Sequence, residues 1–575
     1  MMTPSKPAPS SEISENLTLS QSPTKPRKTT SRQDEDPEKD VHIASEASTS
    51  YRKDIRFWAI LFALCITSLL ASLETTVVVT SLPTIVERLK FGSSYVWVGN
   101  IFFLTSAAVQ PLFGQFSNLF GRRYLTLFIV AIYTLGSGIC GGANSPTMLI
   151  AGRAVQGMGS GGINMIIDII ISDLVPLRDR GNYIAIILAI YGVGMAIGPF
   201  VGGIIVQTTS WRWVFYINLP VGGLSIVLLY LFLHVKWDRT VTFKDKLRRI
   251  DYIGNSILIA STISVLMALT WAGAIHPWSS YRVIVPLILG LVGLVAFCIF
   301  EGSGIVPEPV MPLRLFANRT SAIVYVATFL NSAILYWAFF FLPLYFQAVK
   351  LSTPARSGVQ LLPVTLISIP GAAISAVVLA RWGRYKALHI AGFALMTLGL
   401  GIWAVLDRNS STAAWVLVQV VPAVGSGMLL NTLLPAFQAG LAEADQAAAT
   451  ASWSFIRSFG SIWGVAIPAA IFNTYTSSYA AQKIDDPAAR GILQHGDAYA
   501  SATKAFVESF DEPTRSQIID VFTEAMRKVF LIAITFGGLA FLLSFLEREV
   551  ELRKELETEF GLEESKNADG KKDAV

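Results

Sequence analysis

The stretch Gly152–Val175, GRAVQGMGSGGINMIIDIIISDLV, decides how the rest of the chain reads. It is long and apolar enough for one helix, yet it carries Arg153, Asp168 and five glycines before Asp173. Gly157, Gly159 and Gly162 spell G-x-G-x-x-G, which in a soluble βαβ unit cradles a dinucleotide. That reading needs a preceding strand and an acidic residue about 20 positions on. Here the glycines lie inside an apolar run flanked by further apolar runs, so the nucleotide reading fails. In a membrane, small residues let helix backbones approach closely where hydrophobicity cannot drive helices together. Arg153, Gly157, Gly161, Asn164 and Asp168 follow at steps of four, four, three and four, which is one stripe of a helix. A charge facing lipid is expensive, so the stripe is expected to face a polar cavity or another helix.

The whole chain has the same character. Its 575 residues are 53% hydrophobic and only 15% charged, more apolar surface than a soluble fold can bury, so the class is an all-α polytopic membrane protein. Cys65, Cys140 and Cys298 all fall in apolar segments, which argues against a disulfide framework. Five scattered histidines without a Cys/His spacing suggest neither metal site nor cofactor. The net charge of +5 is concentrated in short loops beside apolar segments, so no nucleic-acid partner is implied. Residues 1–53, rich in Ser, Thr, Pro, Lys and Asp, read as a disordered tail with no signal peptide.

Fourteen segments are long and apolar enough to span a bilayer, the first at about 56–79, the thirteenth at about 449–474 and the last at about 528–547. An even number puts both chain ends on one side. Arg122/Arg123, Arg178/Arg180, Lys236 to Arg249, Arg314/Arg319 and Arg381/Arg384/Lys386 fall in alternate loops on that side, which makes it cytoplasmic. LFGRRYL (119–125) is echoed by RWGRYKAL (381–388), and VQGMGSGGINM (155–165) by VPAVGSGMLLN (421–431). GMAIGPFVGG (194–203) is echoed more loosely by GVAIPAAI (464–471), and all three offsets are about 260–270 residues. Parallel repeats of six spans build a two-halved transporter with its site at the midplane. The expected organisation is a first half at 54–235, loops with two inserted spans at 236–320, a second half at 321–547, and a cytoplasmic tail at 548–575. Within the second half, an external loop at 475–527 is expected to form short surface helices at FVESF and QIIDVFTEAM. The sequon at Asn409 lies in a loop too short for its use to be expected.

Arg153 and Asp168 are separated by roughly 22 Å along their helix and are not partners. Glu74, in SLETTVVVTSLPTI near the outer end of the first span, shares a depth with Arg153 and pairs with it if the helices are adjacent. Burial disfavours a charged carboxylate and a neighbouring arginine favours it, so the pair is suited to a proton switch; the alternative is a static clamp between helices. Asp168, nearer the interface, is open to either role. Arg457, about eight residues into the thirteenth span, is either a cavity charge or a residue snorkelling to the interface. The run YWAFFFLPLYF (336–346), with Tyr336, Trp337 and Tyr345, offers an aromatic wall for flat substrates or else lipid-facing bulk. Asn164, Asn331, Gln347, Gln419 and Asn431 are further polar candidates for the cavity.

These residues resemble a known group. GQFSNLFGRR (114–123), GRAVQGMG (152–159) and GVGMAIGPFVGG (192–203) look like motifs A, B and C of the major facilitator superfamily. LETTVVVTSLP (73–83), WRWVFYINLPVG (211–222) and the fourteen spans are similar to its 14-spanner drug:proton antiporters. FLPLYFQAV (341–349) and ATASWSFIRSFGSIWGVAIP (449–468) resemble the fungal multidrug and toxin efflux members. The resemblance implies two six-helix halves plus two inserted helices. It assigns Gly114, Asn118, Gly121, Arg122 and Arg123 to motif A, with Asn118 where the family usually has an aspartate. It assigns Arg153, Gln156 and Gly157 to motif B, with the arginine linked to proton transfer. Gly194, Gly198, Pro199, Gly202 and Gly203 form motif C, expected as a bendable contact between halves and associated with exporters.

The function implied is proton-coupled export of small hydrophobic organic molecules, such as toxins, antifungals or secondary metabolites, by a monomer in the plasma membrane or else the vacuolar membrane. An uptake carrier for a nutrient or siderophore, and a non-transporting sensor with the same fold, are the rival readings. No G-x-x-x-x-G-K-[ST] occurs, which argues against direct ATP drive. No nucleophile–base set is apparent at one depth, which argues against an enzyme.

Overall fold

The structure, a computed structural model, describes residues 54–89, 96–235, 243–272, 276–306, 308–494 and 498–552. The expected tail at 1–53, and that at 548–575 beyond its first five residues, lie outside these. Apart from isolated bridge residues, among them the pair Ala272 and His276, the described residues form helices, turns and loops.

The first half comprises α1 (Ile55–Leu89), α2 (Val96–Ala108), α3 (Gln110–Phe120), α4 (Arg122–Gly141), α5 (Pro146–Leu174), α6 (Arg180–Thr208), α7 (Trp213–Tyr216) and α8 (Asn218–Phe232). After the short α9 (Phe243–Arg248) come the inserted pair α10 (Tyr252–Trp271) and α11 (Tyr281–Gly302). The second half comprises α12 (Arg319–Ala348), α13 (Pro354–Trp382), α14 (Lys386–Trp403), α15 (Thr412–Leu430), α16 (Leu433–Gln438) and α17 (Gln446–Lys483). It closes with α18 (Pro487–Gln494), α19 (Ala498–Ser501), α20 (Lys504–Glu508) and α21 (Thr514–Phe545).

Helical segments stand at all fourteen expected positions. Twelve helices among the described residues are long and apolar enough to cross a membrane. The second position is split into α2 and α3 at Val109, where Pro111 opens the next helix without a backbone donor. The fifth is α6, apolar over Arg180–Met195 among the described residues.

The internal repeat is visible in the packing. In the first half, span one packs on five and six, three on four and six, and two on four; in the second half the corresponding spans pair in the same way. Between the halves, α3 meets α17 and α6 meets α13, a two-fold relation that the three sequence echoes anticipate. The inserted pair packs on itself and lies against α2 and α17.

Helix ends differ from the hydropathy limits in three places. α1 continues from the expected 79 to Leu89, α17 from 474 to Lys483, and α21 begins at Thr514 rather than 528. QIIDVFTEAM is therefore the first part of α21 and not a separate surface helix. Its apolar face, Ile518, Val521, Phe522, Ala525 and Met526, is buried, and Phe522 stacks on Phe472 of α17 at 5.7 Å.

The helix ends next to the termini gather on one face. Arg56 donates to the carbonyls of Phe232 and His234, Arg123 to that of Tyr230, and Gln115 to those of Arg249 and Glu308. Thr320 and Tyr385 both donate to the carbonyl of Arg548. This basic face is also where the two halves are tied together.

Candidate functional site

The glycines of the opening stretch are contact points between backbones. A Cβ on Gly161 would lie 2.0 Å from the Ser106 carbonyl oxygen, and one on Gly157 2.4 Å from that of Phe102. α5 therefore presses directly on α2, as small residues permit in lipid. That close approach sets Arg153 into the interior of the first half.

Arg153 Nη1 lies 2.6 Å from Oε1 of Glu74, and the same nitrogen donates to Gln156 Oε1 at 2.8 Å. Arg153 Nε donates to the Val98 carbonyl at 3.0 Å, and the guanidinium lies over the Phe102 ring, 4.2 Å from its centre. The second oxygen of Glu74 accepts from Asn218 Nδ2 at 2.5 Å. Gln156 in turn donates to Ser137 Oγ at 2.7 Å. Five of the six spans of this half thus converge on one carboxylate that is fully buried. A buried charge is tolerated only when paired and hydrogen-bonded, and both conditions hold here. Asn218, at the start of α8, was not anticipated as a site residue, although it stands in the quoted WRWVFYINLPVG.

Motif A sits at the basic face. Gly121 has φ 82°, a backbone that favours glycine. Arg122 Nε pairs with Asp173 Oδ2 at 2.7 Å, while its Nη1 donates to the Ser117 carbonyl (2.6 Å) and to Asn118 Oδ1 (3.1 Å). Arg123 donates to the Tyr230 carbonyl at 2.6 Å and lies 4.9 Å from the centre of that ring. A Cβ on Gly114 would collide with Ala451 Cβ at 2.2 Å, so this glycine lets α3 approach α17 of the other half.

Motif C packs differently from expectation. A Cβ on Gly194 would meet Ser72 Oγ at 2.0 Å, and one on Gly198 would meet Thr76 Oγ1 at 1.9 Å. These glycines join α6 to α1 within the first half and do not form a contact between halves. The steric reason is that the face of α6 bearing them is turned toward α1, with Gly181 and Gly192 toward the second half. Gly202 is buried on the same helix, and the surroundings of Pro199 and Gly203 lie outside those described.

Between the halves, Asp168 on α5 and Arg457 on α17 approach to 3.7 Å. Arg457 lies 4.6 Å from the centre of the Trp453 ring. Tyr191 of α6 and Tyr336 of α12 are near enough to feel its charge. Arg457 thus carries a charge that faces the other half. Nearer the basic face, Arg180 Nη1 donates to Gln438 Oε1 (2.7 Å) and Gln446 Oε1 (2.9 Å), and Arg178 donates to the carbonyls of Ala380 and Arg381. Gln110 Nε2 donates to Ser458 Oγ at 3.0 Å.

Of the remaining cavity candidates, Tyr336 joins this group and stacks on Phe340 at 6.3 Å. Asn164 is half-buried on the stripe of α5, and Asn331 is buried on α12 with its oxygen unpaired. The others are placed within the second half. Trp337 packs on Phe536 of α21, and Tyr345 donates to the Asp407 carbonyl at 2.8 Å. Gln347 donates to Ser357, Gln419 to the Gln360 and Trp415 carbonyls, and Asn431 to the Ala372 carbonyl. An apolar groove of about 670 Å³ beside α14, α15 and α21 is lined by outward-facing Leu398 and Val405 and carries no charged group.

Comparison with known proteins agrees with this geometry. The family model described as Major Facilitator Superfamily matches residues 64–465. The chain is 50% identical over 525 residues to the MFS-type transporter TwmF of Talaromyces wortmannii, covering 91% of this chain and 96% of that one. It is 44% identical over 532 residues to the efflux pump FUS6 of Gibberella fujikuroi, covering 92% and 96%. Its fold is similar to that of the proton:xylose symporter XylE, with a TM-score of 0.54 and 14% identity over 88% and 99% of the two chains. The chain therefore belongs to the major facilitator superfamily, among its fungal efflux-type members, and is a multi-pass membrane transporter and not an enzyme.

Proposed function

We propose that the protein exports small hydrophobic or amphipathic organic molecules in exchange for protons. The observation that carries the reading is Glu74, an acid buried in the membrane interior and held by Arg153 and Asn218. Ionisable groups at such depth are costly and mark proton or ion pathways. A carboxylate with one arginine and one amide partner has two states of similar cost: ionised and paired, or protonated with the arginine turned to Gln156 and Val98. Glu74 is the proton carrier in this scheme, Arg153 its counter-charge, and Asp168 a second acid on the path between halves.

Export is supported by relatives named efflux pump, from Fusarium and Gibberella, and efflux transporter, from Aspergillus. The Arg178 and Arg180 ties between the halves fall on the basic face, which the positive-inside pattern assigns to the cytoplasm. A bundle closed there holds its cavity ready to release outward. The protein acts as a monomer in the plasma membrane with both ends cytoplasmic.

The test is efflux from a pump-deficient yeast strain loaded with dyes and antifungals, with and without a protonophore. Wild-type efflux that collapses with protonophore and with Glu74→Gln, at equal surface expression, is the expected outcome. Efflux by Glu74→Gln that keeps its protonophore sensitivity would remove Glu74 from the proton path.

A further inference from the structure

We propose that the cavity between the halves selects molecules carrying an acidic group, a carboxylate or an acidic phenol or enol, which Arg457 receives in place of Asp168. This rests on the reading above, that amphipathic molecules pass between the halves, and names their chemistry.

Among the described residues, three arginines pair with acids inside the bundle, and one pair is unlike the others. Arg153–Glu74 and Arg122–Asp173 close to 2.6 and 2.7 Å, the range of charge-assisted hydrogen bonds. Arg457–Asp168 stops at 3.7 Å, too long for a hydrogen bond. The Asp168 oxygen facing Arg457 is buried and has no hydrogen-bond partner. Arg457 likewise has no hydrogen bond to the protein among the described residues, although guanidinium offers five donors in a fixed fork.

Exposure separates the pairs in the same way. The Arg153 and Arg122 side chains are 3% and 2% exposed, whereas that of Arg457 is 28% exposed. A guanidinium on a membrane helix with open space before it and unspent donors is placed to receive an anion. Its fork matches a carboxylate in two-point contact, which a lysine would not.

The walls suit the rest of such a molecule. Trp453 lies under the guanidinium, and Tyr191 and Tyr336 stand within reach of its charge, one from each half. Aromatic faces stack flat or conjugated bodies while Arg457 orients the acid. Asp168 is then an internal stand-in: it faces Arg457 at a distance that a better-fitting acid outcompetes. A neutral amphipath gains the walls but leaves the Arg457–Asp168 contact as it was, so the acid is preferred.

Equilibrium binding tests this independently of transport. Full-length protein in lipid nanodiscs is titrated with 9-anthracenecarboxylate and with its methyl ester, read by anthracene fluorescence. The acid is expected to bind about ten-fold tighter than the ester, a difference of about 1.4 kcal/mol. Arg457→Gln should abolish that preference while ester binding persists; Arg457→Lys should keep part of it. Asp168→Asn, which removes the competitor, should strengthen acid binding. Equal binding of acid and ester, no binding of the acid by wild type, or a preference that survives Arg457→Gln would overturn the proposal. Protonophore-sensitive efflux that requires Glu74 would stand even then, so the two readings fail separately.

Discussion

Asp173, at the far end of α5, holds Arg122 at 2.7 Å, while Asn118, four residues before the arginine, contributes a neutral hydrogen bond at 3.1 Å. The family's usual aspartate is absent at 118, and the anion of this latch comes from the neighbouring helix. Asp173→Asn should therefore be the damaging change. Leaving Arg122 buried without an anion costs about 3–5 kcal/mol, against about 1 kcal/mol for Asn118→Ala. Thermal unfolding of the purified variants, alongside efflux, gives the order; a larger loss for Asn118→Ala would reverse the assignment.

The Glu74–Arg153 pair should show strong coupling. Arg153→Ala strands a buried carboxylate and should destabilise by about 3–5 kcal/mol, whereas adding Glu74→Gln to it should recover much of the loss. Neither the single nor the double variant should drive export. Unfolding midpoints that fall additively would show that the two side chains act independently.

Gly161 should not accept a side chain. Its Cβ would sit 2.0 Å from a backbone oxygen of α2, so Gly161→Ala forces the helices apart at a cost of about 1–3 kcal/mol. Gly223→Ala, with nothing within 4 Å, is the matched control and should be neutral. Comparing the expressed, monodisperse fraction of each variant by size-exclusion chromatography decides it.

Tyr385, in the turn between α13 and α14, donates to the Arg548 carbonyl at 2.9 Å and accepts from the Val550 amide at 3.0 Å. Burial pushes its hydroxyl up to about 12. The folded protein holds this proton more tightly than the unfolded chain, whose tyrosine ionises near pH 10. The stabilisation is complete below about pH 10 and is lost as pH rises toward 12. Tyr385→Phe should flatten the decline in unfolding midpoint between about pH 10 and 12 and should raise amide exchange around Val550. An unchanged alkaline slope would show that other groups govern it.

Sequence reasoning reached the Glu74–Arg153 pair because helix rise and chain direction fix depth, and depth was enough. It missed Asn218, since the partner role depends on α8 lying beside α1, which no spacing within one segment encodes. Asp173 read as a helix end because its partner is 51 residues away in the chain. Hydropathy placed the ends of α1 and α17 too early: it marks where residues turn polar, while backbone hydrogen bonding carries the helices on to Leu89 and Lys483. In YWAFFFLPLYF, a turn of about 100° per residue sends Tyr336 toward Arg457 and its neighbour Trp337 into the core. Composition saw one aromatic run where the helix makes two faces. The meeting of Asp168 with Arg457 depends on how the halves dock, and no single-half pattern contains it.

The inserted pair lies against α2 and α17, the seam where α3 meets the second half, and the opposite seam between α6 and α13 has no such cover among the described residues. Duplication of a six-span unit by itself makes two equivalent clefts. With one walled by α10, the molecule has a back and a front: among the described residues, a sideways route from between the halves into the bilayer has only the α6–α13 side left to use.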